Sequence, residues 1–247
     1  MKVTESWRSE HLGEAITLVR WGVNGTPVIV FPTAGGDCEE IERFLMIDAL
    51  SELLGAGRIK VYSVDSLNGR AWLTGTPPGH ASWVQKAFDA AIRHEIVPAI
   101  RADCQSAEIE IIASGFSIGA FNALTAVCRH PDVFSSAVCL SGTYDLTKWL
   151  QGTWWDDFYV TSPVHFLPDL EEGPHLERLR QRFVILAHGS GAWEAPEESW
   201  RVARVLGDKG VPNRVDDWGA EYPHDWTTWR RMLPQYLDEL TAPSPAA

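Results

Sequence analysis

The sequence carries no excess of positive charge. Its 21 Lys and Arg stand against 33 Asp and Glu, giving a net charge of −12 at pH 7. A nucleic-acid partner needs a basic footprint, and an acidic surface repels a polyanion, so nucleic acid is not an expected partner. The acidic clusters are short, as in Glu171-Glu172, and read as solvated surface. Cysteine is scarce too. Cys38, Cys104, Cys128 and Cys139 form no CxxC pair and no Cys/His cluster at zinc spacing, which argues against a disulfide scaffold and gives no metal site. They read as reduced, mostly buried thiols. The N-terminal residues Met1-Lys2-Val3-Thr4-Glu5-Ser6-Trp7 lack the apolar stretch of a secretory signal. No run of about 18 apolar residues predicts a membrane span. The expectation is a cytoplasmic protein with no membrane partner. Repeats and low-complexity segments are missing as well, and only residues 241–247, rich in Ala and Pro, read as a disordered tail.

What is present is an ordinary soluble composition, 45% hydrophobic and 22% charged, with twelve tryptophans as the oddity. Two periods alternate along the chain. Residues 15–21, 27–31, 59–64, 109–113, 136–140, 183–187 and, more weakly, 213–218 read as strands. Helical spacing marks 39–54, 81–100, 118–128, 197–208 and 225–240. Pro98 predicts a kink or early end in the second of these. Residues 142–181 are a mixed, aromatic, turn-rich stretch. Strands alternating with helices predict an α/β fold: a mostly parallel sheet with helices on both faces and an antiparallel N-terminal edge, where strands 15–21 and 27–31 follow each other without a helix. No linker divides residues 1–240, which read as one domain.

The sharpest motif is Gly115-Phe116-Ser117-Ile118-Gly119, between an apolar strand and a helix. A chain that reverses there to hold a serine hydroxyl clear of the sheet crowds the positions two before and two after it, so both favour glycine. The helix start also aims its free N–H groups at the serine. Ser117 is the candidate nucleophile, and a serine needs a base. Folds with such an elbow place the base between the last strand and the last helix, in the chain order Ser, acid, His. His224 has that place, with Asp225 as the expected N-cap of the last helix. His188, at a strand end, is the next candidate; the other histidines read as surface residues. The acid that orients the imidazole is expected in the loop 188–194, where Glu194 is the first carboxylate. Glu197 and Glu198 follow at a helix start, and Asp145 and Asp217 are alternatives. The oxyanion needs two backbone N–H groups. Ile118 supplies one, and the loop 32–36 the other, through Ala34, with Gly35 or Thr33 as alternatives. Trp193 and Gly35 are candidate substrate-binding residues. Trp154, Trp155 and Trp226 read equally well as pocket wall or as packing, and Asn68, Arg70 and Trp72 are further candidates for lining the site.

With these residues assembled, the chain resembles the "putative esterase" family of α/β-hydrolases, which includes esterase D-like enzymes and mycolyltransferases. The resemblance runs from about Ile16 to Leu240. It is carried by Gly115-Phe116-Ser117-Ile118-Gly119, Ser141-Gly142-Thr143-Tyr144-Asp145, and His224-Asp225-Trp226 with Trp229. It implies the α/β-hydrolase fold and hydrolysis of a carboxylic ester, or acyl transfer, through an acyl-enzyme and without a cofactor. The loop 189–194 departs from the family by lacking the common aspartate, and the loop 32–36 by lacking a histidine-glycine start. The expected function is that of a carboxylesterase with a small-molecule ester as partner. An acyltransferase of the same mechanism and a non-catalytic binding protein of this fold are the rivals, and a homo-oligomer is left open.

Overall fold

The structure, a computed structural model, describes residues 1–73 and 75–242. Its eight strands are β1 (Lys2–Arg8), β2 (Ala15–Trp21), β3 (Thr26–Phe31), β4 (Ile59–Val64), β5 (Ile111–Phe116), β6 (Phe134–Leu140), β7 (Phe183–His188) and β8 (Asn213–Asp217). They form one sheet in the order β1-β2-β4-β3-β5-β6-β7-β8. From β4 to β8 every neighbouring pair is parallel, while β2 is antiparallel to both β1 and β4. This is the expected architecture, with one difference at the edge. β2 and β3 are not neighbours: β4 lies between them, and the antiparallel partner of β2 at the edge is β1. β1 escapes a sequence reading because its residues are mostly exposed, so no buried run marks it.

Side chains alternate along the strands between two cores. On β5, Ile111 and Ala113 face one side, and Ile112 and Phe116 the other. The first core packs the helices Pro78–Ala91, Ile118–Arg129 and Pro196–Asp208; the second packs the short helices after β3 and the last helix, Trp226–Leu240. The expected helix over 39–54 is three short helices, Glu40–Arg43, Met46–Ala49 and Ser51–Gly55, broken where Leu45 takes a left-handed φ of 60°. The expected kink near Pro98 is a π-helical turn over Ile92–Ile96, before the helix Val97–Asp103. A proline at 98 offers no N–H to the carbonyl of residue 94 and its ring crowds that carbonyl, so the preceding turn widens. Residues 142–181 hold short helical turns rather than one element. Strand β5 begins later than the expected 109 and runs on to Phe116, directly before the serine.

Thr241, expected in the disordered tail, is held: its carbonyl and hydroxyl accept from Arg58 at 3.3 and 3.1 Å, and its hydroxyl donates to Leu237. Residues 243–247 of that expected tail lie outside the described residues. No helix among the described residues is long and apolar enough to cross a membrane.

Candidate active site

The candidate residues come together along one edge of the sheet, the carboxyl ends of the parallel strands, where ligands bind in folds of this kind. Ser117 follows β5 and caps the helix Ile118–Arg129 with φ 56° and ψ −119°. A non-glycine residue with positive φ is strained. Six such residues occur among the described ones; Ser117 and Ser141 directly follow β5 and β6, and Trp193 lies in the loop after β7. The glycines of the motif have steric reasons. A Cβ on Gly115 would lie 2.2 Å from the Gly119 carbonyl oxygen, and one on Gly119 2.3 Å from that of Phe31. The second contact also shows that the helix start abuts the end of β3, where the loop 32–36 begins. The Ser117 hydroxyl has no hydrogen-bond partner among the described residues.

The loops after β7 and β8 are stitched together. Ser190 N–H donates to Gly219, Gly191 N–H to Tyr222 and His224 N–H to Ala192, at 2.9, 3.3 and 3.0 Å. This places His224 Nδ1 3.8 Å from Glu194 Oε2, an ion-pair distance longer than a hydrogen bond. The Glu194 side chain is 1% exposed. Its other oxygen accepts from Ser141 Oγ at 2.5 Å, and Ser141 Oγ in turn accepts from the Trp229 indole N–H at 2.9 Å. The Trp229 ring also meets the His224 ring edge-to-face, 5.1 Å between centroids. Asp225 caps the last helix as expected, accepting from Thr228 N–H at 3.0 Å.

The competing acids are engaged elsewhere. Glu198, in the first turn of its helix together with Glu197, accepts from the N–H groups of Tyr144 and Asp145 at 2.8 and 2.9 Å. Asp145 accepts from Thr147 N–H at 2.9 Å and pairs with Arg201. Burial pushes the Asp145 carboxyl up, but the bonds from Thr147 and Arg201 outweigh it and hold the group low. Asp217 accepts from Ser190 Oγ and Gly219 N–H. His188 is buried, with Nδ1 bonded to the Gly189 carbonyl at 2.8 Å and Nε2 unpartnered; its strand alternation turns it to the core that holds Val184 and Leu186.

In the loop after β3, the Thr33 N–H and hydroxyl both donate to the buried Glu40, at 2.8 and 2.6 Å. Thr33 is therefore occupied, while the N–H groups of Ala34 and Gly35 have no partner among the described residues. Burial pushes the Glu40 carboxyl up, against the bonds from Thr33. Trp193 is 91% exposed. Trp226 is packed, stacked on Phe44 at 4.8 Å and tilted against Phe116 at 4.9 Å. Trp155 lies over Gly79, where a Cβ would meet its ring at 2.7 Å. Asn68 and Trp72 are buried on the helix Leu67–Leu73, and both donate to Gln85. In the sequence Ser141 and Trp229 carry the family resemblance but no site role, and nothing there marks Glu40. A serine and an indole N–H carry no motif of their own; only the fold shows that they meet Glu194.

Comparisons with known proteins bear on the fold and the family. The fold is shared with a ferulic acid esterase (TM-score 0.74, 16% identity, 98% of this chain and 97% of that chain covered). It is shared with the S-formylglutathione hydrolase FrmB of Staphylococcus aureus (0.66, 12%, 98% and 96%) and with the fluorophosphonate-binding serine hydrolase FphF of Staphylococcus aureus (0.63, 14%, 98% and 99%). No curated protein sequence matches the chain. The family model described as "Putative esterase" matches residues 71–240. That span reaches from the helix after β4, through Ser117, to the end of the last helix, and the chain belongs to this esterase family of the α/β-hydrolase fold.

Proposed function

We propose that this esterase is a serine carboxylesterase that works through an acyl-enzyme on Ser117. The carrying observation is the Ser117 backbone, held left-handed at a strand-to-helix turn with an unbonded hydroxyl. Strain of this kind is kept where it presents a reacting group. In this reading Ser117 Oγ attacks the ester carbonyl carbon while His224 takes its proton. The oxyanion is held by the N–H groups of Ile118 and Ala34. The tetrahedral intermediate collapses, His224 gives the proton to the leaving alcohol, and the acyl group stays on Ser117. Water then attacks with His224 again as base, releasing the acid and restoring the serine. Glu194 orients His224 and balances its charge when protonated. The 3.8 Å separation between them tightens to a hydrogen bond as substrate enters, since catalytic contacts are often long in free enzymes. Gly35 and the exposed Trp193 are assigned to the parts of the substrate beyond the reacting carbonyl. No cofactor is assigned. Cys38, Cys104, Cys128 and Cys139 are all unpaired thiols, which supports a reducing compartment such as the cytoplasm.

The test is time-resolved hydrolysis of a short-chain aryl ester by wild type and Ser117→Ala, with intact mass after fluorophosphonate treatment. Turnover and a single label in wild type, both lost in the variant, are expected. A wild type that is folded, inactive and unlabelled sinks the reading and favours a binding protein of this fold.

A further inference from the structure

The helix Leu67–Leu73 is locked against the site. Asn68 donates to Gln85 at 2.8 Å and to Asn122, on the helix that follows Ser117, at 2.7 Å. Gly69 is pressed to the loop after β3, since a Cβ there would lie 2.9 Å from Ala34 Cα and 2.3 Å from Ser66 Oγ. The next residue is Arg70. Among the described residues it is the one partly buried arginine whose guanidinium makes neither a hydrogen bond nor an ion pair; the other partly buried arginines each have a partner, and Arg8, Arg178, Arg204 and Arg231, which also make neither, are exposed. None of its nitrogens is among the buried atoms without a partner, so the guanidinium keeps contact with solvent and is open to a ligand.

Resting on the esterase reading above, we infer that Arg70 anchors an anionic group, a carboxylate, carried by the ester substrate. The position fits. Gly69 contacts the residue assigned to the oxyanion hole, so Arg70 lies along the rim of the same loop. Its charge adds to the Arg43 hydrogen bonds, the larger cause, in holding the Asp37 carboxyl low. Asp37 does not neutralise it, because both Asp37 oxygens are taken by Arg43 at 2.8 and 3.0 Å. The planar fork of an arginine, on a helix fixed by buried amides, is suited to paired hydrogen bonds with a carboxylate.

The experiment compares kcat/KM of wild type, Arg70→Ala and Arg70→Lys on two matched pairs of esters. Mono-4-nitrophenyl succinate against 4-nitrophenyl butyrate places the charge on the acyl side. 4-Carboxyphenyl acetate against phenyl acetate places it on the alcohol side. In one pair, Arg70→Ala should lower the charged-to-neutral ratio about tenfold, the size of one charge-assisted hydrogen bond, with Lys in between and neutral esters within about twofold of wild type. Equal loss on charged and neutral esters in both pairs overturns the inference. Calorimetric binding of succinate against butyrate, and of 4-hydroxybenzoate against phenol, to wild type and Arg70→Ala needs no turnover. Charge-dependent binding that Arg70→Ala abolishes supports the inference even if the Ser117 reading fails, and binding unchanged by the substitution overturns it.

Discussion

Ser141 Oγ donates to Glu194 Oε1 at 2.5 Å while accepting the Trp229 indole N–H. The buried carboxylate that faces His224 is thus fixed from behind by a relay of two side chains from other parts of the chain. A carboxylate free to rotate would lose the imidazole, so orientation by such a shell matters as much as the acid's presence. Ser141→Ala removes the donor and leaves the Trp229 N–H buried without a partner. A hydrogen bond to a charged group contributes about 1.5–3 kcal/mol, so kcat should fall about ten- to hundredfold with KM little changed. Steady-state kinetics beside a melting curve checks this: an unchanged kcat in a folded variant removes Ser141 from the relay.

The proposed acid can be separated from its neighbours. Glu194→Gln keeps the shape but loses the charge that balances a protonated His224, so kcat should drop by about 10³-fold or more. Glu198→Gln and Asp145→Asn touch only the backbone of the loop after β6 and its Arg201 contact. They should change stability and leave kcat within about threefold. A large kcat loss in either with Glu194→Gln active would reassign the acid.

Glu40 supports the loop that carries Ala34. Glu40→Ala strands the Thr33 N–H and should cost about 1–3 kcal/mol of stability, with kcat falling as the loop loosens. Glu40→Gln keeps both contacts, its carbonyl accepting from Thr33 N–H and its amide donating to Thr33 Oγ1. The carboxyl is raised by burial, so folding favours its protonated form. Its contribution is full below the ordinary carboxyl range and declines as pH rises through the folded value. Glu40→Gln should therefore be more stable than wild type near neutral pH and match it at about pH 3, below the ordinary carboxyl range. Urea unfolding at both conditions decides, and a difference that does not grow with pH rejects the argument.

How much of this was legible in the sequence depends on how local the cause is. The elbow was readable because Gly115 answers a clash within five residues, the 2.2 Å approach to the Gly119 carbonyl, although the clash that calls for glycine at 119 is with Phe31, far away in the chain. The central parallel strands were readable because they are buried on both faces, as β5 is throughout, while the half-exposed β8 gave only a weak signal. β1 was not, because an exposed edge strand has no apolar pattern. The breaks at Leu45 and Ile92–Ile96 were blurred, because helical spacing survives a short interruption. His224 and Glu194 were expected from chain order and loop position, and the structure brings them to 3.8 Å of each other. The Trp229–Ser141–Glu194 relay and the Glu40 support did not, since they join residues brought together only by the sheet and the last helix.

The fold also predicts an acid-sensitive clasp far from the site. Glu95, in the π-helical turn, accepts from Trp7 Nε1 at 2.8 Å, Ser9 Oγ at 2.7 Å, and His11 through both N–H at 3.3 Å and Nδ1 at 2.7 Å. Burial pushes its carboxyl up, but the bonds from His11, Trp7 and Ser9 outweigh that and hold it at about 2. The folded value lies below the ordinary one, so the carboxylate stabilises the fold above the ordinary carboxyl range. That contribution, at most about 3 kcal/mol, is lost as pH falls toward the folded value. Glu95→Gln should lower stability near neutral pH and flatten its acid dependence. Because β1 and this turn are remote from Ser117, the variant should hydrolyse esters at the wild-type rate wherever it is folded. Urea unfolding of both proteins at about pH 6.5 and about pH 3 measures the difference in slope. If wild type and variant lose the same stability between those conditions, Glu95 is not the group that titrates.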